Sequence, residues 1–168
     1  MGRRLVCILD ASAFIGGLSP FSINCDRILT CSSVVNELSD LKSSSYLEAG
    51  VASRRINVID PEPRFVEEVI EEAKRRSLYR VLSTTDIEVL ALALQERSRG
   101  SSVVVYTDDQ VMQSMCIYMK LEWRSVRRRG VRKPVSIIFK CKLCGRVYKK
   151  GDLAVCPLCG GELEAVRR

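Results

Sequence analysis

The sequence contains no histidine, and this absence excludes several kinds of active site. Serine–histidine triads, cysteine–histidine nucleophiles and imidazole metal ligands all need that side chain. Aromatic residues make up only 6% of the chain, and no apolar run approaches the roughly 18 residues that a membrane-spanning helix needs. The first apolar run, residues 5–9, is too short for a secretory signal, so we expect a cytoplasmic protein with no membrane partner. Any catalysis has to use carboxylates, thiolates, hydroxyls or a bound metal.

Basic residues are concentrated towards the C-terminus. Residues 1–119 contain 13 basic and 16 acidic side chains, whereas residues 120–168 contain 14 basic and only 4 acidic ones. Such a basic segment, interleaved with Trp123, Phe139 and Tyr148, favours binding to a nucleic acid. A solvated tail that only aids solubility is the alternative interpretation. The candidate RNA-binding side chains are Arg127, Arg128, Arg129, Arg132, Lys133, Lys140, Lys142, Arg146, Tyr148, Lys149 and Lys150.

Four of the eight cysteines form two closely spaced pairs in this basic segment. The pairs are Cys141-Lys-Leu-Cys144-Gly and Cys156-Pro-Leu-Cys159-Gly, a spacing typical of four thiolates that hold one tetrahedral zinc ion. Two disulfides or a thioredoxin-like redox motif fit less well, because there is no secretory signal and a redox motif would be single. We therefore predict a closed, structural zinc site whose metal supplies the folding energy of a small ribbon. The other four cysteines are interpreted as buried hydrophobes.

Upstream of the cysteines, apolar runs alternate with helical patterns. Strands are predicted at residues 4–9, 28–31, 56–59 and 103–106, and the helices between and after them include 65–76 and 110–119. Thr85 and Glu88 have the spacing of a capping box, which places Asp86 in the first turn of another helix. The alternation predicts an α/β fold with a central parallel sheet and right-handed crossovers. The predicted organisation is a first domain over 1–123, a basic linker over 124–135 and a zinc ribbon over 136–168, with a last strand at 135–139.

Acidic residues occur at corresponding ends of these elements. Asp10 ends the first strand, Glu37 lies about a turn into the helix after the second, Asp86 begins its helix, and Asp108 follows the fourth strand. In a parallel sheet such positions share one edge, so the four carboxylates are expected to converge on one cleft. Each acid also has a purely structural interpretation: Asp86 could stabilise a helix N-terminus, Asp108 or Asp109 could form a turn, and Glu37 could face solvent. Such an interpretation fits Asp10 less well, because the end of an apolar strand is a poor place for an unpartnered charge.

A divalent cation would relieve the repulsion among crowded carboxylates, because Mg²⁺ and Mn²⁺ prefer oxygen ligands. Such cations activate water and stabilise a phosphodiester under attack. We favour Asp108 over the adjacent Asp109 as a ligand, since Asp108 is nearer the strand end. Ser12 and Thr107 are expected to orient ligands or water by hydrogen bonds.

Several motifs resemble the PIN nuclease domain in order and spacing. They are Leu9-Asp10-Ala-Ser-Ala-Phe-Ile15, Val34-Val-Asn-Glu37-Leu38, Ser83-Thr-Thr-Asp86-Ile-Glu-Val-Leu-Ala-Leu-Ala93 and Val105-Tyr-Thr-Asp108-Asp109, within a match over about residues 4–122. With the four-cysteine ribbon behind them, the whole chain resembles archaeal members of the Nin-one-binding protein family. The resemblance implies a three-layer α/β nuclease domain that matures the 3′ end of small-subunit ribosomal RNA. It also implies one or two Mg²⁺ or Mn²⁺ ions held by Asp10, Glu37, Asp86 and Asp108.

We therefore expect a metal-dependent endoribonuclease that acts on precursor small-subunit (16S) ribosomal RNA within a pre-ribosomal particle, with ribosome-assembly proteins as further partners. Basic side chains on phosphates confer little sequence choice, so specificity would come from where the ribbon places the nuclease. One alternative is a toxin-like PIN ribonuclease acting on messenger or transfer RNA, which the added ribbon disfavours. The other is a non-catalytic RNA-binding assembly module with a vestigial cleft, which the retention of four acids disfavours.

Overall fold

A parallel sheet forms the larger part of the computed structural model, which describes residues 2–39, 44–127, 130–149, 151 and 153–167. Its strands are β1 (Leu5–Leu9), β2 (Arg27–Thr30), β3 (Ile56–Val58), β4 (Ser102–Tyr106) and β5 (Glu122–Arg124). They lie in the order β3-β2-β1-β4-β5, and every neighbouring pair is parallel. The central strands are nearly continuous apolar runs, as expected for parallel strands that are covered on both faces.

Within the described ranges, six α-helices connect and cover these strands. They are α1 (Ala11–Ile15), α2 (Ser32–Ser39), α3 (Ser44–Ala52), α4 (Pro63–Arg75), α5 (Thr84–Ser98) and α6 (Gln110–Tyr118). Helix α5 is buried at Ile87 and at every residue from Val89 to Glu96, because it packs against β1, β4 and α4. None of these helices is both long and apolar enough to cross a membrane. The predicted α/β fold with a central parallel sheet is confirmed.

Some local predictions are wrong. The N-cap of α5 is Ser83, whose hydroxyl accepts from the backbone N–H of Asp86, so the capping box is not formed by Thr85 and Glu88. Asp86 nevertheless lies in the first turn of the helix, as predicted. Helices α1 and α3 and strand β5 were not predicted, and β5 extends one residue past the predicted domain boundary.

The C-terminal ribbon is a small antiparallel sheet of β6 (Ile137–Cys141), β7 (Val147–Tyr148) and β8 (Leu163–Arg167), in the order β7-β6-β8. Strand β6 begins two residues later than the predicted last strand. The buried core of the ribbon consists of Phe139, Cys141, Cys156 and Leu163. So few apolar side chains provide little folding free energy, which agrees with a ribbon that depends on a bound metal.

The ribbon and the preceding linker lie against the larger domain. The Arg80 guanidinium donates to the carbonyls of Leu153 and Leu163 and lies 5.2 Å from the centroid of the Phe139 ring. In the linker, the Val131 N–H donates to the side-chain oxygen of Gln113 on α6 at 2.9 Å. These contacts connect the ribbon and the linker to the larger domain through the side chains of Arg80 and Gln113.

Candidate active site and zinc centre

The carboxyl edge of the large sheet gathers most of the predicted acidic residues. Asp10 directly follows β1, Asp108 and Asp109 follow β4, and Asp86 lies in the first turn of α5. Because α5 leads into the start of β4, the beginning of α5 lies at the edge where β1 and β4 end. The charges of Asp10 and Asp109 both act on Asp86. Three acids from separate parts of the chain are therefore close enough to interact.

Asp10 is the most buried of these residues, with 4% of its surface exposed. Its Oδ1 accepts from the backbone N–H of Ala11 at 2.7 Å, and its Oδ2 accepts from the hydroxyls of Ser12 at 2.7 Å and Thr107 at 2.9 Å. Burial raises the pKa of the Asp10 carboxyl, and these hydrogen bonds oppose that shift. The three donors fix the orientation of a buried carboxylate at the end of β1.

Ser12 and Thr107 also connect the ends of β1 and β4. The Ser12 hydroxyl oxygen accepts from the backbone N–H of Asp108 at 2.9 Å, and the Thr107 hydroxyl oxygen accepts from that of Asp109 at 3.1 Å. Each hydroxyl therefore donates to Asp10 and accepts from the backbone beyond β4. The structure shows these two side chains orienting the Asp10 carboxylate itself.

Asp86 and Ser83 cap the start of α5 reciprocally. The Ser83 N–H donates to Asp86 Oδ2 at 2.8 Å, and the Asp86 N–H donates to Ser83 Oγ at 3.0 Å. The pKa of the Asp86 carboxyl is raised to about 6, chiefly by burial and also by the charges of Asp10 and Asp109, against the Ser83 hydrogen bonds. A cation beside Asp86 would favour the charged form of this carboxyl.

The adjacent Asp108 and Asp109 have different partners. The Asp108 carboxylate accepts hydrogen bonds from the side chain and backbone of residues 125–127, at the start of the linker. Asp109 is the N-cap of α6, and its Oδ1 accepts from two N–H groups in the first turn at 2.7 and 2.8 Å. The charge of Asp109 acts on Asp86, together with that of Asp10, whereas the Asp108 carboxylate contacts the linker.

Glu37 lies on an exposed face of α2, a helix that packs against α1 and α5. The start of α2 is held by Asp60, whose carboxylate accepts from the N–H and the hydroxyl of Ser32 at 2.8 and 2.9 Å. Because α2 follows β2, its first turns lie at the same edge of the sheet as Asp10. Glu37, in the second turn of α2, is exposed like Asp109, whereas Asp10 is buried and Asp86 is half-buried.

A cavity of about 290 Å³ opens at this edge and is lined by Ser12, Ile15, Gly16, Asp108, Asp109 and Arg127. Carboxylate oxygens are the donors that Mg²⁺ and Mn²⁺ prefer, so Asp10, Asp86 and Asp109 suit such a cation chemically. In the part of the chain that the structure describes, no three carboxylates have oxygens that all lie within 4.8 Å of one another. Mutual repulsion favours that wider spacing, and Mg²⁺ keeps several waters rather than requiring a tight protein cage.

The four paired cysteines converge at the tip of the ribbon. Their Sγ atoms all lie within 4.8 Å of one another, with 3.5 Å between Cys141 and Cys159 and 3.7 Å between Cys144 and Cys156. Zinc–sulfur bonds of about 2.3 Å in a tetrahedron place the sulfurs roughly 3.8 Å apart, so these distances fit a zinc ion. All four cysteines are free in the structure, with Sγ–Sγ separations longer than the roughly 2.05 Å of a disulfide bond.

The residues around the cysteines support the same geometry. Gly145 and Gly160 follow the two pairs with φ angles of 71° and 69°, a conformation that a glycine adopts without the strain of a side chain. The Tyr148 hydroxyl lies 3.0 Å from Cys156 Sγ, and this hydrogen bond lowers the pKa of the Cys156 thiol to about 6. Tyr148, predicted to bind RNA, thus has its hydroxyl engaged with a cysteine of the cluster.

Most of the other predicted RNA-binding side chains are exposed. Those that the structure describes are Arg127, Arg132, Lys133, Lys140, Lys142, Arg146 and Lys149. Lys142 forms an ion pair with Glu162 at 2.7 Å, so part of its charge is already compensated. Arg128, Arg129 and Lys150 lie outside the described residues. Exposure leaves these cations available for phosphate contacts, and their role stays a prediction.

Two features of the site were missed by sequence reasoning. Ser83 and Asp86 have the same spacing as the capping box that was assigned to Thr85 and Glu88, so a signal was present but ambiguous. The contacts of Asp108 with residues 125–127 span 17 to 19 positions of the chain, and no local pattern indicates them.

The fold and its acidic edge are those of a nuclease class. The family described as "PIN domain of ribonuclease" matches residues 7–95 of this chain. The chain belongs to the PIN-domain family of ribonucleases, and the predicted nuclease class is confirmed.

Relatives within that family identify the group more narrowly. The chain is 31% identical to the endoribonuclease Nob1 of Archaeoglobus fulgidus, over 94% of this chain and 88% of that protein. It is 30% identical to the endoribonuclease Nob1 of Pyrococcus abyssi, over 98% of this chain and 96% of that protein. These matches confirm the predicted likeness to the Nin-one-binding proteins. The ribonuclease VapC3 of Aeropyrum pernix is 36% identical, over 77% of this chain and 91% of that protein.

Proposed function

We propose that this ribonuclease cuts precursor small-subunit ribosomal RNA and forms its mature 3′ end. The observation that carries the chemistry is the buried Asp10 carboxylate, held by three hydrogen bonds at the same edge as Asp86 and Asp109. Matches to Nob1 endoribonucleases over nearly the whole chain support this substrate. The exposed cations of the linker and ribbon suit a phosphate backbone. We place the activity in the cytoplasm, where zinc-binding thiolates stay reduced.

The proposed ligands of the catalytic cation are Asp10, Asp86 and Asp109, with Glu37 contributing from α2. Asp109 takes the role that the sequence favours for Asp108, because the Asp108 carboxylate is engaged by the linker and the charge of Asp109 acts on Asp86. When bound, Mg²⁺ or Mn²⁺ supplies positive charge that activates water and stabilises the reacting phosphodiester. The four ribbon cysteines hold a separate, structural zinc ion.

The proposed reaction is hydrolysis of one phosphodiester bond. A water oxygen bonds to phosphorus as the bond to the 3′ oxygen breaks, and the products are a 3′-hydroxyl and a 5′-phosphate. The Ser12 and Thr107 hydroxyls keep the Asp10 carboxylate in one orientation and hold the two strand ends together. Such preorganisation lowers the entropic cost of reaching the transition state.

The test uses the zinc-loaded protein, Mn²⁺ and an RNA fragment that spans the 3′ end of the small-subunit precursor. Wild type is expected to make one cut, at the mature terminus. Asp10→Asn is expected to bind the RNA with unchanged affinity and to cut at least about 1,000-fold more slowly, because one charged ligand is lost. Glu67→Gln removes one exposed carboxylate from α4 and should cut like wild type.

The outcomes of this assay distinguish the three functional hypotheses: the precursor-processing nuclease, a toxin-like nuclease and a non-catalytic assembly factor. Undiminished cutting by Asp10→Asn would overturn the assignment of the active site. The match to a VapC ribonuclease keeps a toxin-like activity as the second candidate, and it would be indicated by promiscuous cutting of messenger or transfer RNA. Tight binding of the precursor without any cut would indicate an assembly factor instead of a nuclease.

A further inference from the structure

The Asp108 carboxylate holds the beginning of the linker against the active site. Its Oδ1 accepts from the Ser125 hydroxyl and from the Val126 N–H at 2.8 Å, and its Oδ2 accepts from the Arg127 N–H at 3.1 Å. Asp108 itself is fixed by its own N–H, which donates to the Ser12 hydroxyl at 2.9 Å. One acidic side chain therefore orders a turn of the linker next to the residues that orient Asp10.

This turn places Arg127 among the residues that line the acidic cavity. Arg127 Nε donates to the backbone carbonyl of Gly16 at 2.7 Å, just after α1. The guanidinium lines the same 290 Å³ cavity as Ser12, Asp108 and Asp109. Because Nε is hydrogen-bonded to Gly16, the orientation of the planar guanidinium is set in a residue that lines the cavity.

The charge of Arg127 suits an anion rather than a protein carboxylate. Among the residues that the structure describes, Arg127 forms no ion pair within 4.0 Å, although Asp108 and Asp109 line the same cavity. A guanidinium presents its donors in a fixed fork that matches two oxygens of a phosphate. An RNA strand entering this cavity would bring a phosphodiester to Asp109 and Arg127 together.

We propose that Arg127 is a phosphate-binding residue of the active site, whose terminal nitrogens donate to a non-bridging oxygen of the scissile phosphodiester, and that Asp108 is its positioning residue. The proposal rests on the proposed nuclease function and deepens it. Negative charge accumulates on the non-bridging oxygens during the attack of water, so a preorganised cation there stabilises the transition state more than the ground state. Asp108 then serves the reaction by holding the linker.

A consequence is that the linker supplies part of the active site. The same segment is tied to α6 a few residues later, where the Val131 N–H donates to the Gln113 side chain at 2.9 Å. The linker continues from there into the ribbon. Residues 125–127 and Val131 of the linker thus both contact the larger domain, at positions that precede the ribbon.

The test compares three arginine variants in the zinc-loaded protein with Mn²⁺ and the precursor fragment. Arg127→Ala should lower kcat about 100-fold and change KM by less than about threefold, as expected for a transition-state donor. Arg127→Lys keeps the charge but loses the fork, and kcat should fall about tenfold. The control Arg3→Ala removes an exposed arginine that precedes β1, at the other end of that strand from Asp10, and should leave kcat and KM within about twofold of wild type. Added guanidinium ion should restore part of the activity of Arg127→Ala only.

Asp108→Asn tests the positioning role. The amide keeps one acceptor oxygen but replaces the other with a donor, so the linker turn loses part of its support. We expect the kcat of Asp108→Asn to fall about as far as that of Arg127→Ala. Because both changes affect one function, the kcat of the double variant should lie within about threefold of that of Arg127→Ala. The Mn²⁺ dissociation constant, measured from the free Mn²⁺ signal in electron paramagnetic resonance, should stay within about twofold of wild type in Asp108→Asn and rise more than about tenfold in Asp109→Asn.

Several results would overturn the proposal. A kcat for Arg127→Ala within threefold of wild type would show that the guanidinium does not act on the phosphate, and an increase would show that it obstructs the site. Equal weakening of Mn²⁺ binding in Asp108→Asn and Asp109→Asn would make Asp108 a metal ligand. If Asp10→Asn cuts like wild type, or if wild type cuts no RNA, the nuclease assignment and this proposal fail together.

Discussion

Replacing Thr107 with valine removes a single buried hydroxyl that serves two acidic residues. The side chain of Thr107 is fully buried, its hydroxyl donates to Asp10 at 2.9 Å, and its oxygen accepts from the Asp109 N–H at 3.1 Å. Valine has nearly the same shape, so the change creates no cavity. The loss of free energy of unfolding is therefore assigned to these hydrogen bonds.

The expected magnitude follows from the two bonds. A hydrogen bond to a charged acceptor contributes about 1.5–3 kcal/mol and one between neutral groups about 0.5–1.5 kcal/mol, so Thr107→Val should destabilise the protein by about 3 kcal/mol. For a domain of this size, the midpoint of thermal unfolding should fall by about 6–12 °C. The control Thr107→Ser keeps the hydroxyl and loses a methyl group, at a cost of about 1 kcal/mol.

Urea unfolding of the zinc-loaded protein, followed by circular dichroism, measures these differences directly. Cleavage assays on the same samples should show a lower kcat for Thr107→Val, because Asp10 and Asp109 lose a shared support. The reasoning is refuted if Thr107→Val unfolds within about 0.5 kcal/mol of wild type, or if Thr107→Ser is the more destabilised of the two.

Two further predictions concern the ribbon. Cys144→Ser should reduce the zinc content of the purified protein from about one ion per chain to near zero, because a serine hydroxyl is not deprotonated at neutral pH. The zinc content is measured colorimetrically. The control Cys25→Ser, outside the cluster, should keep its zinc. Retention of zinc by Cys144→Ser would contradict the assigned ligand set. Arg80→Ala should expose the ribbon to limited proteolysis, since it removes contacts with two carbonyls and the Phe139 ring. Arg64→Ala, which removes an arginine over a ring within α4, is the matched control, and equal proteolysis of the two variants would refute the docking role.

The arrangement of the acidic edge follows from patterns that are local in the chain. Apolar runs alternate with helical stripes, which predicts parallel strands, and the acids occur where strands end or helices begin. The convergence of Asp10 and Asp86 follows from this order alone. The spacing of the cysteines likewise predicts the geometry of the cluster, because two closely spaced pairs suffice for a tetrahedral site.

Features that depend on contacts distant in sequence were not predictable. Asp108 and Asp109 are neighbours at a strand end, and what distinguishes them is a linker turn that folds back onto Asp108. Strand β5 has three residues, two of them charged and exposed, so its pattern does not stand out from the basic linker. In both cases the local sequence is compatible with more than one structure, and tertiary contacts determine which of them forms.

The acids of the proposed site are oriented by hydroxyl and N–H donors, and this has a consequence for the binding of a cation and a substrate. Within the described ranges, neither Asp10 nor Asp86 nor Asp109 is in an ion pair with a basic side chain. Hydroxyl and N–H donors orient a carboxylate without cancelling its charge, whereas a lysine or arginine there would compete with Mg²⁺ for it. Arg127 instead lines the cavity with its Nε hydrogen-bonded to the backbone carbonyl of Gly16. In the proposed site, the carboxylates would therefore keep their negative charge for a metal, and Arg127 would offer positive charge to the RNA backbone.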